Sequence, residues 1–279
     1  TGKVSFRKIQ EIIEHDNPVE ASGQQALETF DKITFDDYYF TYPSEAEPTL
    51  KGISLALKKG QTLGIVGKTG SGKTTLIAQF LRQYPVDQEG RIMINDQAIQ
   101  SYRIQEIEGL IGYVPQDHVL FSKTVRENIL FGNDQAGEEF NQAVAGADFQ
   151  KDISHLSQGF DTLIGEKGVA ISGGQKQRVS IARALIRQPE LLILDDSLSA
   201  VDAKTEQAII HQIQNIRRGK TNIIVTHRLS AVMEADSIIV LDDGRIIEQG
   251  SAQELLMHHG WFKEQFDRQQ MEGKSWKFL

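Results

Sequence analysis

Leu63-Gly64-Ile65-Val66-Gly67-Lys68-Thr69-Gly70-Ser71-Gly72-Lys73-Thr74-Thr75 is the stretch on which the fold turns. Leu63 to Val66 is a short apolar run, read as a buried strand. Gly67 to Thr74 fits G-x-x-x-x-G-K-[ST] without a gap, and a helix over roughly Lys73–Leu81 follows. Three glycines let the loop turn backbone N–H groups toward one point, and the helix N-terminus adds its partial positive charge. Lys73 is then placed to reach the β- and γ-phosphates of a nucleotide, and the Thr74 hydroxyl to ligate Mg²⁺. Lys68, Thr69, Gly70, Ser71, Gly72 and Thr75 complete the candidate phosphate loop.

Outward from this loop, strands and helices alternate. Ile33–Tyr42 and Ile53–Leu57 read as strands of an N-terminal sheet, and Arg91–Ile94 and Ile111–Val114 as further strands. Leu191–Leu194, Asn222–Val225 and Ile238–Leu241 are apolar almost throughout, as parallel strands covered on both faces should be. Arg245–Glu248 reads as an edge strand and the last 25 or so residues as helical. Residues of about 117–190 are mainly helical in pattern and read as a separate lobe. This alternation predicts an α/β fold. The first 30 residues differ. Phe6, Ile9 and Ile13 recur at helical spacing, and His15 to Gln25 is polar, with Pro18 and Gly23, as in a linker.

Composition bounds the function. The chain has 279 residues, a net charge of −8, 39% hydrophobic residues and no cysteine. No disulfide framework or thiolate metal site can be built from it. The acidic balance argues against nucleic acid as the main partner. No stretch approaches the roughly 18 apolar residues of a membrane span. The first residue is Thr1 rather than Met, which raises the expectation of a piece of something longer.

Two further motifs carry chemistry. Leu191-Leu192-Ile193-Leu194-Asp195 is a buried strand ending in an acid, and ligands of α/β sheets sit beyond such strand ends. Asp195 is therefore placed to hold Mg²⁺, directly or through water. Ser172-Gly173-Gly174-Gln175 opens a helix with apolar positions Val179, Ala182 and Ile186. It reads either as a capping box or as a second phosphate site, approached from outside. Glycine is poor in a first helical turn, which favours the second.

Gly67–Thr74, Ile171-Ser172-Gly173-Gly174-Gln175 and Leu191–Asp195 resemble, in order and spacing, the three hallmark motifs of ABC-type ATPases, with Ile171 in the leucine place of L-S-G-G-Q. Other residues extend the resemblance. Gln116, after Tyr113-Val114-Pro115, looks like the glutamine-loop residue. Ser199-Ala200-Val201-Asp202 looks like the D-loop and His227 like the switch histidine. Tyr42, near Tyr38, Tyr39 and Phe40, looks like the aromatic that stacks on adenine. Gly165-Glu166-Lys167-Gly168 resembles a segment by which exporters face their membrane domain.

The resemblance covers roughly Asp31 to Trp261. It implies a P-loop NTPase (RecA-like) core with an N-terminal antiparallel β subdomain and an inserted α-helical lobe. It further implies ATP and Mg²⁺ as ligands, with Gln116, His227 and Asp196 at the hydrolytic end. Gln116 joins Thr74 and Asp195 as a candidate Mg²⁺ ligand, and Asp202 joins the nucleotide-binding set. Residues 1–30 then read as a linker from a membrane domain fused upstream, and residues 31–279 as an ATPase domain on the cytoplasmic face of the cell membrane.

Asp196 departs from the pattern, since the family usually has glutamate there as the general base. Aspartate retracts the carboxylate by one methylene, roughly 1 Å, and a misplacement of that size can cost about 10²-fold in rate. ABC domains bind ATP at a head-to-tail dimer interface, where the signature of one chain completes the site of the other. A weak site beside an intact signature resembles one half of a heterodimeric bacterial multidrug exporter. The competing expectations are a nucleotide-gated dimerisation module with little turnover, a soluble ABC ATPase acting on nucleic acid or ribosomes, and an importer ATPase on a separate chain.

Overall fold

A computed structural model describes residues 23–133 and 137–275 of the chain. The segment with Phe6, Ile9 and Ile13, and most of the expected linker, lie outside the described residues. The end of that linker is tied to the body. The Gln24 and Gln25 amides both donate to the Ser101 carbonyl, at 3.0 and 2.9 Å, and the Leu27 amide donates to Glu106.

Two sheets organise the chain. β1 (Lys32–Phe40), β2 (Leu50–Lys58), β4 (Ile92–Ile94) and β5 (Gln97–Ala98) form an antiparallel sheet in the order β2-β1-β4-β5. The second sheet has six strands. These are β3 (Thr62–Gly67), β6 (Ile111–Val114), β7 (Leu191–Asp195), β8 (Thr221–Val225), β9 (Ser237–Asp242) and β10 (Arg245–Gly250), in the order β10-β9-β3-β8-β7-β6. All its pairings are parallel except β10 with β9, so Arg245–Gly250 is the edge strand expected.

The apolar runs of the central strands are explained by two cores, one on each face. Ile65, Leu191, Ile193, Ile223, Val225, Ile239 and Leu241 point to a core shared with the antiparallel sheet and α1 (Lys73–Phe80). Their alternates Val66, Leu192, Leu194, Ile224, Ile238 and Val240 point to a core shared with the helices. Side chains alternate faces with period two, so a strand covered on both sides must be apolar at every position.

That second core also takes in α3 (Val125–Leu130), α4 (Glu138–Gly146) and α6 (Gly173–Leu185). The helical lobe therefore has no core of its own. The 117–190 segment is also less helical than its pattern suggests. After α5 (Gln150–Ile153) the chain runs through one 3₁₀ turn (Gly159–Asp161) and short bridges at Thr124–Leu163 and Ile164–Val169 before α6 begins. The C-terminal residues form α8 (Ala252–Met257) and α9 (Trp261–Ser275), as expected. α2 (Ile104–Leu110) precedes β6, and α7 (Ala203–Ile216) lies between β7 and β8. No helix of the described residues is long and apolar enough to cross a membrane.

Candidate nucleotide site

Register alone brings the predicted residues together. Asp195 pairs with Val225, Val225 with Ile65, and Val114 with Leu194. The carboxyl ends of β3, β6, β7 and β8 thus finish side by side, and the loops leaving them line one cleft. That cleft has a volume of about 340 Å³ and is lined by Lys73, Thr74, Gln116, Asp195, Asp196 and His227, with Thr69, Gly70, Gly72 and Thr75 completing the phosphate-loop side.

The loop achieves its shape through glycine. Gly67 has φ 151°, and a Cβ there would lie 2.3 Å from the Leu241 carbonyl oxygen, so no larger residue fits. Gly72 is the N-cap of α1 and supplies no side-chain cap, so the first amides of α1 have no partner from a capping side chain. Lys73 is buried. Its Nζ donates to the carbonyls of Gly67 at 2.7 Å and Lys68 at 2.8 Å, stretched back along the loop. Ser71 Oγ is buried and has no hydrogen-bond partner among the described residues. Lys68 itself is exposed, and its role here is the carbonyl.

The opposite wall is acidic. Asp195 is buried, and its Oδ2 accepts from the Tyr113 hydroxyl at 3.0 Å. The Asp196 amide continues the ladder to the Val225 carbonyl at 2.8 Å, and its φ of 46° then turns the chain out of the sheet. Aspartate is among the few side chains that tolerate this left-handed region. Asp196 Oδ2 lies 3.7 Å from His227 Nε2. Burial pushes both carboxyls above the ordinary aspartate range and pushes Lys73 below the ordinary lysine range. The lysine beside both acids, the histidine beside Asp196 and the Tyr113 hydrogen bond to Asp195 all oppose that burial.

The donor set suits Mg²⁺, a hard ion that takes oxygen ligands and usually relies on one or two carboxylates with substrate phosphates. Asp195, Thr74 and Gln116 all line the cleft. No cluster of three or more His, Asp or Glu that could cage a metal occurs among the described residues.

Tyr42 sits beside the phosphate loop, its hydroxyl sharing a hydrogen bond of 2.8 Å with Thr75 Oγ1 and its ring edge-on to Phe40 and Tyr84. The competing rings are otherwise engaged. Tyr38 is buried and donates to Gln79, Phe40 is in the core, and Tyr39 faces outward.

The structure does not bring Ser172, Gly173, Gly174 and Gln175 to this cleft. They form a capping box on α6, in which Ser172 Oγ accepts from the Gln175 amide and the Ser172 amide donates to Gln175 Oε1. Their glycines have no left-handed φ, and a Cβ on Gly173 would make only ordinary contact, 3.4 Å from Ala200. Nothing among the described residues requires glycine there. Asp202 is likewise a cap, with Oδ1 accepting from the Lys204 and Thr205 amides at the start of α7. The segment at Gly165–Gly168 is a turn against Phe121 and Ser122, with Glu166 and Lys167 exposed.

Three supporting residues escaped sequence reasoning. Tyr113 faces Asp195 across the β6–β7 pairing, a placement that only the strand order reveals. Arg228 donates to the carbonyls of Ser199 and Val201 and to Glu206 Oε2, joining the His227 loop to the segment after β7. Gln269 reaches the same loop from α9. Neither Arg228 nor Gln269 has a local signal, because their partners lie 22 to 42 positions away.

Residues 50–199 match the sequence profile of the ABC transporter family. The chain is 54% identical over 272 residues to the probable multidrug resistance ABC transporter ATP-binding/permease protein YheI of Bacillus subtilis, spanning 97% of this chain and 46% of that protein. It is 40% identical over 272 residues to the multidrug resistance-like ATP-binding protein MdlA of Escherichia coli, again spanning 97% and 46%. A solved bacterial Atm1-family ABC exporter with ATP bound matches with a TM-score of 0.87 and 36% identity, over 96% of this chain and 47% of that one. The chain thus spans about half the length of these relatives. It belongs to the ABC transporter family, and over its length it is similar to the ATP-binding part of the exporters it matches.

Proposed function

We propose that this chain powers export of a drug-like or lipophilic substrate, and that its own ATP site is the slow one of an unequal pair. The multidrug names of two relatives support the substrate class. The observation that carries the slow-site reading is Asp196, whose short carboxylate stands 3.7 Å from His227 on the acidic wall facing Lys73.

In this reading Lys73 exchanges its bonds to the Gly67 and Lys68 carbonyls for β- and γ-phosphate oxygens. Tyr42 supports the base from beside Thr75. Thr74, Asp195 and Gln116 would hold Mg²⁺, which would supply charge neutralisation on the phosphates. Asp196 orients the attacking water and accepts its proton, while His227 faces the γ end. Catalysis is positioning and charge stabilisation, with no covalent step on the protein. One methylene of retraction at Asp196 lowers the rate by about 10²-fold.

The signature Ser172–Gln175 serves a second ABC ATPase domain. One weak site beside one intact signature supports a hetero-oligomer. The fused ATP-binding/permease relative supports the reading of a membrane domain upstream of Thr1 and of a place on the cytoplasmic face of the cell membrane. Nucleic acid is not a partner in this reading, in keeping with the net charge of −8.

Asp196→Glu tests it. Steady-state ATP turnover of the chain should be slow and rise by about 10²-fold in the variant. Rapid turnover by the unmodified chain on its own would break the slow-site reading. Tight, saturable ATP binding with negligible turnover in both forms would favour the nucleotide-gated dimerisation module instead.

A further inference from the structure

The His227 ring is half exposed, its side chain retaining 50% of its accessible surface, so packing does not fix it. Its position falls to the backbone of residues 227–229, which is gripped from two sides. Arg228 ties it to the Ser199 and Val201 carbonyls. From the other side comes α9. The Gln269 side-chain amide donates through Nε2 to the His227 carbonyl at 2.8 Å and accepts through Oε1 from the Leu229 amide at 3.0 Å. One side chain thereby bridges two peptide groups on either side of Arg228.

The helix that carries Gln269 is well anchored. Phe262 is fully buried, and its amide donates to Glu248 Oε2 at 3.1 Å. Phe266 packs on the core that contains Leu229 and Val232. Phe262, Phe266 and Gln269 stand at i, i+4 and i+7, one face of a helix, so the burial that seats α9 also aims Gln269 at the loop. A glutamine is suited to the task, since it alone of the two amide–carboxylate isosteres can donate to a carbonyl and accept from an amide at once.

We propose that Gln269 is a positioning residue, through which the C-terminal helix sets His227 against Asp196. The proposal rests on the reading of His227 as part of the hydrolytic end of the site, and its test separates the two. ATP turnover is measured in the full-length protein in its natural assembly, in the Asp196→Glu background and with the partner domain's own ATP site inactivated, so that this site alone gives the signal.

Gln269→Leu, which removes both bonds, should lower kcat about tenfold with KM for ATP unchanged within about twofold. Gln269→Glu keeps the acceptor and loses the donor, and should cost about threefold. It also serves as the measurable variant if the leucine form folds poorly. On a His227→Ala background Gln269→Leu should have no further effect, because the ring it positions is gone. An equal loss on that background makes Gln269 merely structural and overturns the proposal. Unchanged turnover in both Gln269 variants, with His227→Ala strongly impaired, overturns it while leaving the site reading intact. Unchanged turnover in His227→Ala removes both.

Discussion

Two glycine-containing turns each lead into a helix in this chain, and the helices begin in opposite ways. α1 starts at Gly72 with no side-chain cap, and a buried lysine is drawn back along the loop beneath its first amides. α6 starts at Ser172 with a full capping box. The first is a concentration of positive potential left open toward a cleft, which calls for an anion. The second has dealt with part of its own need. The box satisfies the amides of Ser172 and Gln175 only. The amides of Gly173 and Gly174 belong to the first turn, where an α-helix has no internal acceptor for them. Capping and outward phosphate contact are therefore compatible at this turn, and the two readings of the motif are not rivals. A methyl group at either glycine meets only ordinary contacts among the described residues, which leaves room for the outward phosphate contact proposed above.

The largest effect should follow from attacking the open turn. Lys73→Ala removes the buried cation and both of its loop bonds. ATP affinity, measured by nucleotide titration, should fall by about 10²-fold or more, with turnover falling at least as far. If the variant binds ATP as the natural chain does, the cleft between β3, β7 and β8 is not the phosphate site and the contrast between the two turns loses its basis.

Both turns were legible in the sequence because each is a contiguous motif that opens a helix, the first of them directly after a strand. The strands around them were legible for a related reason: burial on both faces writes an unbroken apolar run, as in Leu191–Leu194. What was not legible is what crosses between elements. Arg91–Ile94 looked like one more strand, and only pairing shows that Ile92–Ile94 joins the antiparallel sheet through Ile33–Phe35. The stretch around residues 154–171 reads as helical by composition, yet bridges at Thr124–Leu163 and Ile164–Val169 hold it irregular. Tyr113, Arg228 and Gln269 reach Asp195 and the His227 loop through side chains whose partners are set by strand order and helix docking, which no local spacing encodes.

A link between the two regions offers a sharper test. Arg228 joins the His227 loop to Ser199 and Val201, and Ala200 and Val201 lie against Gly173 and Gly174. The same guanidinium pairs with Glu206, which is nearly inaccessible. Burial pushes the Glu206 carboxyl up to about 7 from 4.5; Arg228 and the Thr226 hydroxyl oppose the rise, and the neighbouring Asp196 adds to it. The folded chain thus holds this proton at higher pH than the unfolded chain. Its contribution to stability is full below about 4.5 and is lost as pH rises through about 7. In Glu206→Gln that dependence should vanish. Urea unfolding at pH 5 and pH 8 should show the natural chain losing on the order of 3 kcal/mol more than the variant across the interval. Equal losses would mean that the Arg228 pairing keeps Glu206 ionised throughout, and that the tie between the His227 loop and α7 is a permanent ion pair.

The smallest effect should come from the closed turn. Ser172→Ala removes the hydroxyl that caps α6, and the cost should be about 1 kcal/mol of stability, read as a lower urea midpoint at unchanged slope. ATP affinity of the chain's own cleft should stay within about twofold, because Ser172 is not among the residues that line it. The informative comparison is with the assembled pair. There the same hydroxyl, which accepts from Gln175 and still has its own proton to donate, would face the partner's nucleotide. A fall in turnover of the assembly with no fall in this chain's ATP affinity separates a surface that serves another chain from one that only closes a helix. If stability drops and assembled turnover does not, the capping box is the whole role of this turn. The open and closed helix starts would then be unrelated features of one fold.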